Sequence, residues 1–240
     1  MATRIYVIPI SNPSAAGAAM VRHKRVPHRV VTLMPGVHPV LVRLAGFERH
    51  TVPALEVDGT KVQGTRAIAR FLDELAPEPP LFPRDTAACA RVEEAERWGG
   101  QVLQPVPRRL FRYLLLTHRS VRLWMGSQVM RLPAVSLLEP FFMPAIRRLA
   151  QISHADESRV RSTIEELPAL LDRVDGLIAD GTIGGAAPNA ADFQILASVR
   201  VLLEFDDLRH LIDRRACAPP ARLLFPDWVG PIPGGLPGVS

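Results

Sequence analysis

Residues 50–76, RHTVPALEVDGTKVQGTRAIARFLDEL, constrain the fold more than any other stretch. They read as an extended segment, a tight turn, a second extended segment and a helix. Asp58-Gly59 is a hairpin signal, because both residues tolerate the backbone that a two-residue turn demands, so the flanking strands are antiparallel. Apolar residues at Ala67, Ile68, Phe71, Leu72 and Leu75 then recur at helical spacing. Pro53 interrupts the first apolar run. Lacking an N–H, it cannot occupy a central ladder position, so it marks a strand end that faces something other than a neighbouring strand.

Upstream, residues 4–10 form a β-rich run, and Ser11, Asn12, Pro13 and Ser14 are helix-start residues leading into an Ala-rich segment that ends near Lys24. A β-branched run, RVVTL, within residues 26–34 is a second strand, and a right-handed crossover makes the first two strands parallel. Residues 38–47 are irregular or weakly helical. The N-terminal order is therefore β-α-β-(α)-β-β-α. Residues 76–85, APEPPLFPRD, hold four prolines and form a linker between a first domain at 1–78 and a second at 86–240. Beyond the linker strand signals almost vanish, and helical patterns cover about 86–122, 134–152, 156–180 and 190–213. Pro105 and Pro107 should kink or divide the first of these. Asn189 with Asp192 three residues on is a capping-box pair worth about 1 kcal/mol, and this structural role outweighs a catalytic one for Asp192. The Pro/Gly-rich residues 225–240 cannot be helical; Trp228 should pack and the rest lie loose.

Hydrophobic content of 48% with 22% charged residues places the chain among ordered globular proteins. Its longest apolar stretch, residues 132–146, is broken by Pro133, Glu139, Pro140 and Pro144, short of the ~20 clean residues of a membrane span. The N-terminus does not read as a signal peptide, so a cytoplasmic location is expected. Cys89 and Cys217 form no Cys-x-x-Cys or Cys/His cluster, which argues against a metal site and disulfide chemistry. Lysine occurs only at Lys24 and Lys61, so the positive charge is carried by arginine; with the alanine and proline enrichment this suggests a GC-rich bacterial gene. The basic run VRHKRVPHR, residues 21–29, has no interleaved aromatics and reads as a solvated helix end rather than a nucleic-acid surface.

Three motifs carry a resemblance to the cytosolic glutathione transferases. HTVPAL, residues 50–55, resembles their Val-Pro step, whose proline is cis; GTRAI, residues 64–68, resembles their Glu-Ser-Arg-Ala-Ile helix entry; GAAPNAADFQI resembles the start of their late capped helix. SNPS, residues 11–14, resembles the Ser-x-Pro-Cys/Ser step of the theta and delta types, and the resemblance as a whole is closest to the theta, delta and epsilon types. It spans residues 3–215. It implies an α/β plus all-α fold, a thioredoxin-like domain followed by an all-helical domain. It further implies glutathione as co-substrate, a small hydrophobic electrophile, detoxification chemistry and a homodimer. An isomerase or lyase that recycles the thiol, or a non-catalytic interaction domain, fits the same residues.

The resemblance assigns the site residue by residue. Val52, ahead of Pro53, would offer its backbone N–H and C=O to an extended peptide, as an edge strand does. Thr65 stands at a helix start, where free N–H groups and the dipole favour a carboxylate; it also reads as a plain cap. Ser11 corresponds to the serine that stabilises the thiolate. A thiol of pKa near 8.5 needs about 2.7 kcal/mol of preferential stabilisation to drop by ~2. One charge-assisted hydrogen bond supplies ~1.5 to 3 kcal/mol and a helix start adds ~0.3 to 1, so a single hydroxyl suffices. Ser14 reads as a cap, and Val7 rather than Tyr6 stands where tyrosine-type classes carry their tyrosine. His38 and His50 match two histidines near the glycine end of glutathione, and Arg66 matches the arginine after the family's serine. Gly64 departs from the pattern, since an acid there normally pairs with the α-amino group of glutathione. The second substrate would face Trp98, Arg108, Phe111, Arg112, Tyr113, Trp124 and Met125, though aromatic and Met positions at helical spacing more often belong to a core. Arg108 and Arg112, four residues apart, either receive an anion or solvate their helix. Residues 132–146 are a candidate lid or interface.

Overall fold

Alternating side-chain direction in the first strand, buried on both faces, sets up two helical layers. In β1 (Thr3–Val7) Ile5 and Val7 point into the main core, while Tyr6 points to the opposite face. The computed structural model describes residues 2–239. α1 (Asn12–His23) crosses to β2 (Arg29–Thr32), which pairs parallel with β1. β3 (Ala54–Val57) and β4 (Thr60–Gln63) add antiparallel strands, giving the order β2-β1-β3-β4. Asp58 and Gly59 both have positive φ, 47° and 90°, the conformation the turn signal required.

α1 and α3 (Thr65–Leu75) cover one face of the sheet, with Met20, Ile68 and Leu72 packed against Ile5 and Leu55. The weakly helical stretch forms a short helix, α2 (His38–Leu44), whose Val42 seals Tyr6, Leu33, Phe47 and Ala54 on the other face. On α3 the buried stripe is Thr65, Ile68, Ala69 and Leu72; Ala67 and Leu75, expected in it, are exposed. The Pro-rich linker is held in place rather than free. The Lys24 ammonium pairs with Asp73 and donates to the Pro79 carbonyl at 2.7 Å, and Asp73 accepts from the Leu81 N–H at 2.7 Å.

Helices build the remainder: α4 (Thr86–Trp98), α5 (Pro105–Thr117), α6 (Arg119–Trp124), α7 (Val135–Ile152), α8 (Glu157–Ala179), α9 (Ala190–Leu202), α10 (Arg209–Ile212) and α11 (Ala218–Leu224). Between α4 and α5 the chain widens into a π turn at Gly99–Leu103. Pro105 has no N–H to give its i−4 carbonyl and its ring crowds that carbonyl, so the ladder opens one turn before the proline. α9 packs against α1, α3, α4 and α11, which is why all its residues except Arg200 are buried and most of its sequence is apolar. Its start carries the expected capping box: Asn189 accepts from the Ala191 and Asp192 N–H groups, and Asp192 accepts from the Asn189 N–H at 2.9 Å.

Two expectations change at the C-terminal end. The helix anticipated over 190–213 stops at Leu202, because Phe205 forms a parallel bridge to Ile232 and the Ile232 N–H donates to the Glu204 carbonyl at 2.7 Å. The tail is correspondingly anchored. Ile232 and Leu236 are buried, and Asp207 accepts from the Gly235 and Leu236 N–H groups at 2.8 and 2.9 Å. Among the described residues no helix is long and apolar enough to cross a membrane.

Candidate active site

Ser11 is delivered by a tight exit from β1. Ile10, between strand and helix, has φ 56°, a left-handed conformation costing a β-branched residue about 1–3 kcal/mol. The strain turns the chain sharply enough for Ser11 to become the N-cap of α1. Its Oγ accepts from the Ser14 N–H at 3.3 Å. A hydroxyl whose lone pair is engaged by a backbone donor keeps its own proton for a second partner, here whatever lies in the cleft. Ser14, expected to cap, instead has a buried hydroxyl that accepts from the Ile8 N–H at 3.2 Å and braces the same turn.

Ser11 opens into a polar cleft of about 340 Å³ shared with His38, Val52, Pro53, Gly64, Thr65 and the arginines of α5. The Val52–Pro53 bond is cis. Neither the N–H nor the C=O of Val52 bonds to another described residue, while the Pro53 carbonyl accepts from the Gly64 N–H at 3.0 Å. Beneath Pro53, Gly17 of α1 gives the close approach its room: a Cβ there would lie 2.8 Å from the Pro53 Cβ.

Thr65 splits into two halves. Its backbone N–H begins α3 and has no partner among the described residues, but its hydroxyl donates to Gln194 Oε1 at 2.5 Å. Gln194 in turn donates to Gln104 Oε1 at 2.5 Å, and Asn12 donates to the Gln104 carbonyl at 3.1 Å and to Ser198 Oγ at 2.9 Å. This buried chain ties the starts of α1 and α3 to α9 directly under the cleft. The reading of Thr65 as a side-chain cap fails, since Gly64 caps α3 with φ 88° and no side-chain bond. Sequence reasoning missed Gln104 and Gln194; for Gln194 the available signal was a polar amide within the mostly apolar ADFQILASV.

α5 presents Arg108, Phe111, Arg112 and Leu115 to a second cavity of about 140 Å³ that also reaches Ser11 and His38. Arg112 is half-buried and Arg108 is exposed at the rim; neighbouring protein lowers both guanidinium pKa values, and Arg112, further depressed by Arg108, comes down to about 10 and stays cationic at neutral pH. Arg112 donates to the Leu149 carbonyl at 3.2 Å and to Ser153. The His38 pKa is lowered by desolvation and then by Arg112, and its buried Nδ1 has no partner. Trp124 packs on Phe111 edge-on, 6.4 Å between ring centres, and Met125 lines the cavity.

Four expected residues lie elsewhere. Tyr113 is buried on the far side of α5, tilted against His118, because two residues from Phe111 on a helix is more than half a turn. His50 is exposed and rests on the Pro39 carbonyl at 3.4 Å, outside the cleft wall. Arg66 is tied to the buried Glu96 at 3.1 Å and borders an outer groove with Arg49 and Arg97, a groove whose lining holds no carboxylate. Trp98 is buried under Arg173, 4.6 Å from its ring centre.

Residues 5–80 match the family model described as glutathione S-transferase, N-terminal domain. A poplar glutathione transferase F1 structure superposes with a TM-score of 0.63 at 17% identity, covering 92% of this chain and 90% of that one. The fold is the glutathione transferase fold. A glutathione S-transferase of Ceriporiopsis subvermispora in complex with glutathione gives 0.61 at 18% identity, covering 93% and 96%. The β-etherase LigF of Sphingobium sp. strain SYK-6 gives 0.62 at 16%, covering 85% and 84%. No curated protein matches the chain in sequence.

Proposed function

We propose that the chain is a glutathione-dependent enzyme of the serine-using theta, delta or epsilon kind, in which Ser11 holds the thiolate and Val52 and the Thr65 N–H hold the peptide. The observation carrying this reading is that Ser11 Oγ, the free backbone of Val52 and the start of α3 line one cleft. Val52 pairs with an extended peptide as an edge strand would, and the α3 start receives a carboxylate. The Ser11 O–H donates to sulfur while the Ser14 N–H supports its oxygen. The nearby Arg108 and Arg112 add to the positive potential that favours thiolate over thiol. The thiol proton leaves to solvent. The sulfur lone pair then forms a C–S bond to an electrophilic carbon, and either a leaving group departs with its electron pair or an added carbanion takes up a proton. An isomerase or lyase use of the same thiolate is favoured by the β-etherase among the structural relatives.

Gly64 leaves the α-amino group of glutathione without its usual carboxylate, and its φ of 88° accounts for glycine there. The proposal therefore expects weaker glutathione binding than an acid at this position would give. The two free cysteines suit a reducing cytoplasm, and a homodimer completes the proposal. Calorimetric titration with glutathione tests the binding half. In Ser11→Ala, thiolate absorbance followed against pH should show the bound thiol's pKa rising by about 1 to 2, the worth of one charge-assisted hydrogen bond, with affinity held within about threefold. An unchanged thiolate in that variant removes Ser11 from the mechanism; absence of glutathione binding at millimolar concentration removes the function.

A further inference from the structure

Several arginines near this site have acid partners. Glu139, buried below α6, takes the Nε of both Arg119 and Arg122, at 2.8 and 2.6 Å. Arg66 and Arg70 share Glu96. Arg108 and Arg112 are different. No carboxylate lines either of the cavities they border, and the charge acting on Arg112 is the like charge of Arg108. The Arg108 guanidinium makes no hydrogen bond among the described residues. Two cations, Arg108 exposed at the rim and Arg112 half-buried, thus converge where the polar cleft meets an apolar cavity. That cavity continues through Pro35, Gly36, Leu115, Met125 and Leu149 into another of about 110 Å³, roofed by Phe142 and Ile146 of α7.

We propose that Arg108 and Arg112 recognise a carboxylate on the second substrate, whose apolar body runs into the paired cavities beneath α7. The proposal rests on the thiolate reading of Ser11, and that reading also fixes the charge count. Two guanidiniums beside one thiolate leave one positive charge, which a monoanionic carboxylate neutralises. A guanidinium offers parallel N–H donors that match carboxylate geometry, and Arg108 has all of its donors free. The electrophile is therefore amphiphilic, an apolar chain or ring bearing one carboxylate near the reacting carbon, rather than a purely hydrophobic molecule. The Pro-interrupted segment of α7 is then a wall of the pocket: Phe142, Ala145, Ile146 and Leu149 all face the inner cavity.

Octanoate and its neutral isostere octanamide, titrated calorimetrically without thiol, separate this site from the thiol site. The wild-type chain should bind octanoate at least about tenfold more tightly, the worth of one charge-assisted pair. Arg108→Met should reduce that preference to within about twofold, while the affinity for octanamide, which needs no cation, changes by less than about threefold. Arg108 has no structural bond to lose, so the variant should fold; circular dichroism confirms it, and Arg108→Lys should restore part of the preference. Equal binding of the two probes by the wild type overturns the proposal. So does a tenfold loss of glutathione affinity in Arg108→Met with octanoate unaffected, which would make the pair part of the thiol site. A wild type that discriminates the probes and fails to bind glutathione refutes the thiolate reading and with it the assignment of this carboxylate to a second substrate.

Discussion

Thr65→Val separates the two halves of a residue whose backbone faces the cleft and whose side chain faces the core. The substitution keeps shape and N–H, and removes only the hydroxyl that donates to Gln194 Oε1 at 2.5 Å. Gln194 is 2% exposed and its amide nitrogen is already committed to Gln104, so the oxygen is left bare and dry. An unsatisfied buried acceptor costs about 1–3 kcal/mol. For a chain of this length each kcal/mol lowers Tm by about 2–4 °C, so thermal unfolding by circular dichroism should show a drop of roughly 2–12 °C. Glutathione affinity should move by less than about threefold, because the proposed carboxylate ligand is the retained N–H. Thr65→Ser should behave as wild type in both assays. In the double variant with Gln194→Leu the penalties should sum to less than the separate losses, since the stranded acceptor is gone. A Tm within 1 °C of wild type together with a tenfold loss of glutathione affinity would refute this account and place the hydroxyl on the ligand.

Asp192→Ala should cost at least about 3 kcal/mol, because two N–H groups, from Gly184 at 2.6 Å and Asn189 at 2.9 Å, lose a charged acceptor; denaturant titration measures it. Burial raises the Asp192 pKa, with the bonds from Asn189 and Gly184 opposing. Between the ordinary value near 3.9 and the raised folded value the native state holds a proton that the unfolded chain has released, so this group's contribution to stability falls as pH rises through that window. Asp192→Asn should flatten that part of the pH profile. Gly17→Ala should destabilise by about 1–3 kcal/mol and weaken glutathione binding, as its Cβ would displace Pro53 and with it Val52. Gly176→Ala, with open space around its Cβ inside α8, should instead stabilise by about 0.5–1 kcal/mol and leave binding unchanged.

The parts of this fold legible in the sequence are those decided within a few residues. The Asp58-Gly59 turn, the Asn189/Asp192 box and the strand end at Val52-Pro53 each depend on neighbours the chain itself supplies, and each forms as its chemistry demands. Long-range contacts decide the rest. The hydroxyl of Thr65 reads as a cap or a ligand donor until its partner is known, and that partner is 129 residues away. His38 and His50 have equal standing as a spaced pair; the packing of α2 turns one into the cleft and leaves the other on the Pro39 carbonyl. The tail looks loose by composition because the residues that hold it, Phe205 and Asp207, belong to a segment that reads as continuous helix. Arg108 and Arg112 invert the lesson. Their spacing is visible in the sequence and ambiguous there, since an arginine pair four apart solvates a helix as readily as it binds an anion. What favours the proposed anion-binding reading is the lack of acid in the walls around them, a property of the surrounding cavity that no pattern along α5 can express.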